Sequence, residues 1–251
     1  MKSILRTVAC LCVITSLATG AVYAQLFNDP KFQLGASIGT FVYQGDLTPS
    51  AMGSYRTLKP SVNLFASKLI SSTFSWRVNL AFGGLKGNDA KYSNPEYRQQ
   101  RNFNFTSRVL EVSGMAEWSI LGRNYISRGF APYLFAGIGY NFINVKRDYS
   151  HLNAEYFGTE SELITGLTTD AQRSLPRGLL VLPVGAGSRY YLSDRVGISA
   201  ETSYRIMSND YLDGFSQAAN PNKGDHYYSH MIGVVYRLGK KNTLGCPVVR
   251  Y

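Results

Sequence analysis

The segment FSWRVNLAFGG, residues 74–84, places Phe74, Trp76, Val78, Leu80 and Phe82 at every second position, with Ser75, Arg77, Asn79, Ala81 and Gly83 between them. A β-strand sends alternate side chains to opposite faces. This stretch therefore has one broad apolar face and one that carries a full charge, an amide and small residues. Seven further segments alternate in the same way, at residues 32–42, 61–67, 108–118, 133–142, 179–191, 196–206 and 228–238. Most approach the roughly 9–11 residues that a tilted strand needs to cross a bilayer. The links are tight or moderate after the second, fourth and sixth segments. They are long after the first, third, fifth and seventh, covering 43–59, 86–104, 146–178 and 208–226. Strict alternation of this kind predicts short periplasmic turns and long outer loops across an asymmetric membrane. The expected fold is all-β, an eight-stranded antiparallel up-and-down transmembrane β-barrel.

In such a barrel the aromatic-rich faces, Val42 among them, meet lipid and the Arg, Asn and Gly faces point inward. An eight-stranded interior is just wide enough to be filled by side chains. Charges of both signs fall on the inward parity: Arg77, Glu111, Glu117, Arg189, Glu201, Arg205 and Arg237. Buried charges persist only when paired and hydrogen-bonded, so these residues predict an interior Arg–Glu network and no open pore. Trp76, Trp118, Tyr190, Tyr204 and Tyr236 fit aromatic girdles at the lipid boundary. A soluble calycin-type barrel with the apolar faces turned inward is the competing fold. The loop alternation and the aromatic bands argue against it.

The chain opens MKSILRTVACLCVITSLATGAVYAQ, with a basic start at Lys2 and Arg6, an apolar core from Val8 to Leu17, and Val22-Tyr23-Ala24 before Gln25. That is the pattern of a cleaved secretory signal, and the core is too short for a membrane helix. The expected organisation is a signal peptide over 1–24, the barrel over 25–239 and a periplasmic tail over 240–251, with both mature termini periplasmic. Cys10 and Cys12 leave with the signal, so Cys246 is left without an intramolecular partner. The formal charge of +10 falls to +8 once Lys2 and Arg6 are removed. After export, nucleic acid is not an expected partner; outer-membrane lipid and lipopolysaccharide phosphates are.

Local chemistry is sparse. Asp225, His226, Ser229 and His230 form the one nucleophile–base neighbourhood, but strand parity puts Ser229 opposite both histidines, so the hydrogen-bonded pair a hydrolase needs is not expected. No residue spacing resembles a zinc or calcium site, and no catalytic residue, metal or cofactor is assigned. In SNDYLDGFS, residues 208–216, Asp210, Tyr211 and Asp213 form the most distinctive loop motif, readable as a docking or cation-binding tip or as an Asx-type turn before Gly214. The turn is the favoured reading. Arg56, Lys59, Lys86, Lys91, Arg98, Arg101, Lys146 and Arg147 are loop cations available to lipid phosphate or a host molecule.

VYQGDLTP, RNFNF, FAPYLFAGIGYNF, LPVGAGSRYYL, SNDYLDGFS and VVYRLGKKN, in this order, resemble the PorG-like family of small outer-membrane barrels over about residues 32–241. The resemblance implies an eight-stranded barrel related to the outer-membrane component of the type IX protein secretion apparatus, which meets a periplasmic ring lipoprotein. The family commonly carries Tyr-Leu-Asp-Asp where this chain has Asp213-Gly214, and no functional residue is carried over. The expected role is a non-enzymatic structural anchor, with a surface-loop adhesin or ligand-binding barrel as the alternative. An acyl-hydrolase acting on lipid A through Ser229 is a third reading.

Overall fold

The computed structural model describes residues 31–50, 52–208, 210–219 and 224–239; the expected signal segment, the tail and Cys246 lie outside them. Eight antiparallel strands close on themselves in sequence order: β1 (Phe32–Gln44), β2 (Lys59–Leu69), β3 (Phe74–Asn88), β4 (Asn104–Ser119), β5 (Gly129–Asp148), β6 (Gly178–Tyr191), β7 (Val196–Met207) and β8 (His226–Leu238). Closure is made by β1 and β8, from Phe32 opposite Leu238 to Gln44 opposite His226. The barrel therefore begins and ends at the rim that carries the short turns.

The two tightest turns use the same device. Ser71 Oγ accepts from Phe74 N at 3.0 Å and Ser193 Oγ accepts from Val196 N at 3.1 Å. A serine hydroxyl that bonds backbone two or three residues ahead holds a turn without a long loop.

The faces sort as the alternation predicts. Trp76 and Val78 are 63% and 64% exposed on the outer wall, whereas Arg77 between them is 2% exposed. Apolar residues outside and charges inside overturn the calycin-type alternative. Val42 is an exception: it lies on the outward parity but is fully buried. The first long loop folds down over it, with Ser54 N donating to Tyr43 O at 2.7 Å. Inside, crowding sets the glycine positions; a Cβ on Gly35 would lie 2.2 Å from the Phe65 ring.

β3, β4 and β5 run beyond the membrane pattern, and there the faces invert. Leu85, Phe105, Val109, Ile143 and Val145 point inward and are buried, while Lys86, Thr106, Asn144 and Lys146 point outward. Above the lipid boundary the outside is water, so the apolar side chains turn to the inside. This three-stranded wall supports the long loops, which hold short helices α1 (Tyr97–Arg101) and α2 (Ala154–Phe157) and the longer α3 (Glu162–Gln172). Ser161 Oγ caps α3 by accepting from Ile164 N at 3.4 Å. No described helix is long and apolar enough to cross a membrane.

Candidate functional site

The interior is layered. Nearest the short-turn rim, Arg237 stacks on Tyr191, its guanidinium carbon 3.4 Å from the ring centroid. It donates through Nη2 to Asn124 O at 2.7 Å and through Nη1 to Ile126 O. Arg237 was expected in the Arg–Glu network. It is instead held by hydrogen bonds to backbone carbonyls of the turn that folds beneath the barrel.

Six of the seven predicted interior charges do pair. Arg77 reaches Glu117 at 3.1 Å and Glu201 at 2.7 Å, and Arg189 reaches Glu117 at 2.7 Å. Ser75 Oγ donates to Glu117 at 2.9 Å, and the Tyr133 hydroxyl donates to Glu201. The next layer holds a separate pair, Arg205 and Glu111 at 2.7 Å, with Ser113 and Tyr227 also donating to the Glu111 carboxylate. Phe65, Tyr133 and Phe41 lie against the guanidinium planes of Arg77, Arg189 and Arg205. Charge, hydrogen bonds and aromatic packing together occupy the centre of the barrel.

Over the charged layers sits an apolar plug to which all four long loops contribute. Leu47, Phe103, Leu167, Leu212 and Phe215 join Phe105, Val109, Val181 and Tyr227 from the strands. The fourth loop is thus a cap that points into the barrel. Tyr211 and Asp213 of the expected loop motif are buried and Asp210 is half-buried, which excludes an exposed docking tip. Asp213 Oδ1 accepts from Phe215 N at 2.8 Å with Gly214 at φ +87°, the Asx-type turn.

Three carboxylate-centred clusters lock this cap. Asp170, from α3, accepts from the backbone N–H groups of Ser216, Gln217 and Ala218 at 2.9–3.2 Å and from the Tyr211 hydroxyl at 3.2 Å. α3 approaches so closely that a Cβ on Gly166 would stand 2.3 Å from Gln217 O. Asp89 binds Arg98 at 2.8 Å and Arg101 at 2.6 Å, and both arginines donate to Asp46 O at 3.1 Å. Third, the Tyr43 hydroxyl lies 2.7 Å from Asp213 Oδ2 and 2.7 Å from Asp225 Oδ1, while Asp225 Oδ2 accepts from Asp213 N at 3.2 Å. A phenol has one hydrogen to donate, so two carboxylates at this distance require a second proton. Burial pushes the carboxyls of Asp213 and Asp225 well up, the charges of Asp46 and Asp210 raise both further, and that of Asp213 adds to the shift of Asp225. Asp210 is pushed up to about 6, chiefly by burial.

These contacts revise the expected loop cations. Arg98 and Arg101 are buried structural ligands of Asp89, and Arg147 donates to Gly214 O at 2.8 Å and Ala171 O at 3.2 Å. None of the three is free for an external anion. Lys86 and Lys146 remain on the outer wall, joined by Arg108, which the alternation places there but which was not singled out. Ser229 points inward, and among the described residues its hydroxyl has no hydrogen-bond partner. His230 points outward between Tyr55 and Thr202, each 3.1 Å from a ring nitrogen. The nucleophile and the imidazole are on opposite sides of the wall. Among the described residues no cluster of His, Cys, Asp and Glu is arranged to hold a metal ion.

A wall of exposed Phe, Trp, Leu and Val that closes on itself with its charges sealed inside is built for a lipid surround, and it defines the outer-membrane class of small β-barrels. Neisserial surface protein A has this fold: the two are 16% identical with a TM-score of 0.50, over 83% of this chain and 97% of that one. The attachment invasion locus protein of Yersinia pestis, solved with the heparin analogue sucrose octasulfate, aligns at 12% identity and a TM-score of 0.45 over 84% of this chain and 99% of its own. A major outer membrane protein from Thermus thermophilus aligns at 10% identity and 0.44, over 82% and 99%. The chain itself belongs to the DUF6089 family, a domain of unknown function matched over residues 6–247. No curated protein matches the sequence.

Proposed function

We propose that this chain is a non-enzymatic anchor of the outer membrane, serving as a structural component of the type IX protein secretion apparatus. The observation that carries the anchor reading is the filled and capped lumen. Paired charges occupy the centre and the long loops use their polar groups on one another, so the work is left to the exterior. The ordered motifs shared with the PorG-like family support the secretion assignment. They make a ring lipoprotein at the periplasmic rim the expected partner, beside outer-membrane lipid and lipopolysaccharide. The separation of Ser229 from His230 supports a non-enzymatic role.

Cross-linking in intact cells, mild solubilisation and affinity purification test this reading. Recovery of a ring lipoprotein in stoichiometric yield is expected. A barrel recovered with lipid alone, whose loop deletions abolish surface attachment while secretion proceeds, would replace it with the adhesin reading.

A further inference from the structure

The outer wall carries a cationic step that neither the interior network nor the cap uses. On the lipid-facing side of β3, β4 and β5 the register stacks three rows. Phe82, Leu110 and Phe142 lie side by side, then Gly84, Arg108 and Asn144, then Lys86, Thr106 and Lys146. The lowest row is open to lipid, with Phe82, Leu110 and Phe142 between 38% and 56% exposed. Arg108, Thr106 and Lys146 are exposed and Lys86 is half-buried. No described carboxylate forms an ion pair with any of the three cations. Asp148, the nearest outward acid along β5, is engaged by Asn104 at 3.0 Å and by Ser150 at 2.7 Å and 3.0 Å.

Adjacent strands are about 4.8 Å apart, so Lys86 and Lys146 flank Thr106 with backbones about 10 Å apart, and Arg108 sits one outward position, about 7 Å, closer to the bilayer centre. Three long cationic side chains can converge on one phosphate-sized volume, with a hydroxyl and an amide beside it and an aromatic-aliphatic row directly beneath. On β2, Lys59 borders the site, its Cβ 3.3 Å from where a Cβ on Gly84 would stand, whereas the outward rim positions on β6, β7, β8 and β1 include Leu180, Thr202, Tyr204, Tyr228, His230 and Thr40, with no lysine or arginine. At the opposite rim the outward row is largely aromatic, with Phe74, Trp118, Phe130 and Tyr190, and Lys68 is its charged member.

We infer that Lys86, Arg108 and Lys146 form a binding site on the outer wall for the phosphate of an outer-leaflet glycolipid, whose acyl chains lie on Phe82, Leu110 and Phe142. Arg108 offers a planar fork of donors to phosphate oxygens and the two lysines act as point charges from either side. The apolar row distinguishes an anchored headgroup from a free anion, because it contributes contact only when hydrocarbon is attached. The site rests on the outer-membrane placement proposed above.

The test uses the full-length protein in detergent, with native mass spectrometry of bound diphosphoryl lipid A, dephosphorylated lipid A as one control and excess inorganic phosphate as competitor. Wild type should retain diphosphoryl lipid A in preference to the dephosphorylated form, and inorganic phosphate should not displace it. Lys86→Gln, Arg108→Gln and Lys146→Gln should each weaken retention about fivefold, and the triple variant about 100-fold, given about 1 kcal/mol per basic residue at an anionic lipid surface. A triple variant with Lys68→Gln, Lys91→Gln and Arg128→Gln, the same change in charge, should retain the lipid. The unheated gel shift of a folded barrel checks that each variant is intact. Equal retention by the first triple variant, equal binding of dephosphorylated lipid A, or displacement by inorganic phosphate would overturn the site. Failure of the wild type to fractionate with outer membranes would instead defeat the placement on which it rests.

Discussion

Asp225→Asn should hold the cap closed at a pH where the native protein loosens it. In the native cap the Tyr43 hydroxyl stands between Asp213 and Asp225 at 2.7 Å from each, which leaves the two carboxylate oxygens no more than about 5 Å apart. Two full charges at ~5 Å repel by about 3 kcal/mol at an effective dielectric of 20, equivalent to ~2 pH units of displaced titration. Burial raises both carboxyls above their unfolded values. The folded cap therefore binds a proton that the opened loop releases. Its stabilising contribution is complete below the ordinary carboxylate pKa of about 4 and is lost as pH rises through the folded values. An asparagine at 225 reproduces the protonated arrangement at every pH. Its amide donates to the Tyr43 oxygen, its carbonyl accepts from Asp213 N, and the Tyr43 hydrogen serves Asp213 alone. Hydrogen exchange at the amides of Phe215, Ser216 and Ala218 reads the closed population. After correction for intrinsic rates, native protection should fall between pH 4.5 and 8.5. The variant should fall less steeply, because Asp213 and Asp210 still titrate, and be protected up to ~100-fold more at the upper end. Native protection that does not change over this range, or a variant less protected than wild type at pH 8.5, would refute the shared-proton argument.

Glu117→Gln leaves Arg77 and Arg189 buried with less counter-charge and should cost about 3–5 kcal/mol, measured as a lower urea midpoint for the barrel in liposomes. Asp170→Ala removes the acceptor of three backbone N–H groups and of the Tyr211 hydroxyl. At about 1–3 kcal/mol for each group left buried and unsatisfied, the fourth loop should become protease-sensitive while the unheated gel shift of the barrel persists. Gly166→Val forces α3 off Gln217 and should expose the same loop. In planar bilayers the wild-type protein should give no large, steady conductance, because Arg77, Glu117, Glu201 and Arg189 fill the section a current would need.

The strand faces are legible because a period of two is a local property: Arg77 between Trp76 and Val78 can point only away from them. The layers within the barrel are not, because they depend on which strands stand opposite across the lumen. Glu201, which pairs with Arg77, is 124 residues away in the chain. Arg237 escapes a local reading for a related reason. Parity sends it inward correctly, but its partners are backbone carbonyls, which carry no mark in a sequence. The third to fifth segments hold a usable signal that the strand alternation alone does not exploit. Beyond Gly84 and before Arg108 the apolar residues change parity, from Phe82 to Leu85 and from Leu110 to Phe105. That change of phase marks where lipid ends and water begins. The fates of Arg98, Arg101 and Arg147 cannot be read locally, since each is spent on a contact that forms only when the loops fold inward.

The continuation of β3, β4 and β5 above the rest of the rim has a geometric consequence. A cylinder in a membrane looks the same from every side, and a neighbour diffusing in the plane has no preferred azimuth. Here one side rises as a wall, with its free edges covered: Thr57 Oγ1 donates to Lys86 O at 2.6 Å on the β3 side, and Arg177 O accepts from Ile143 N at 3.0 Å on the β5 side. The opposite side stays low. The molecule thereby acquires a front and a back within the membrane plane, and whatever assembles beside it meets a surface with a compass direction.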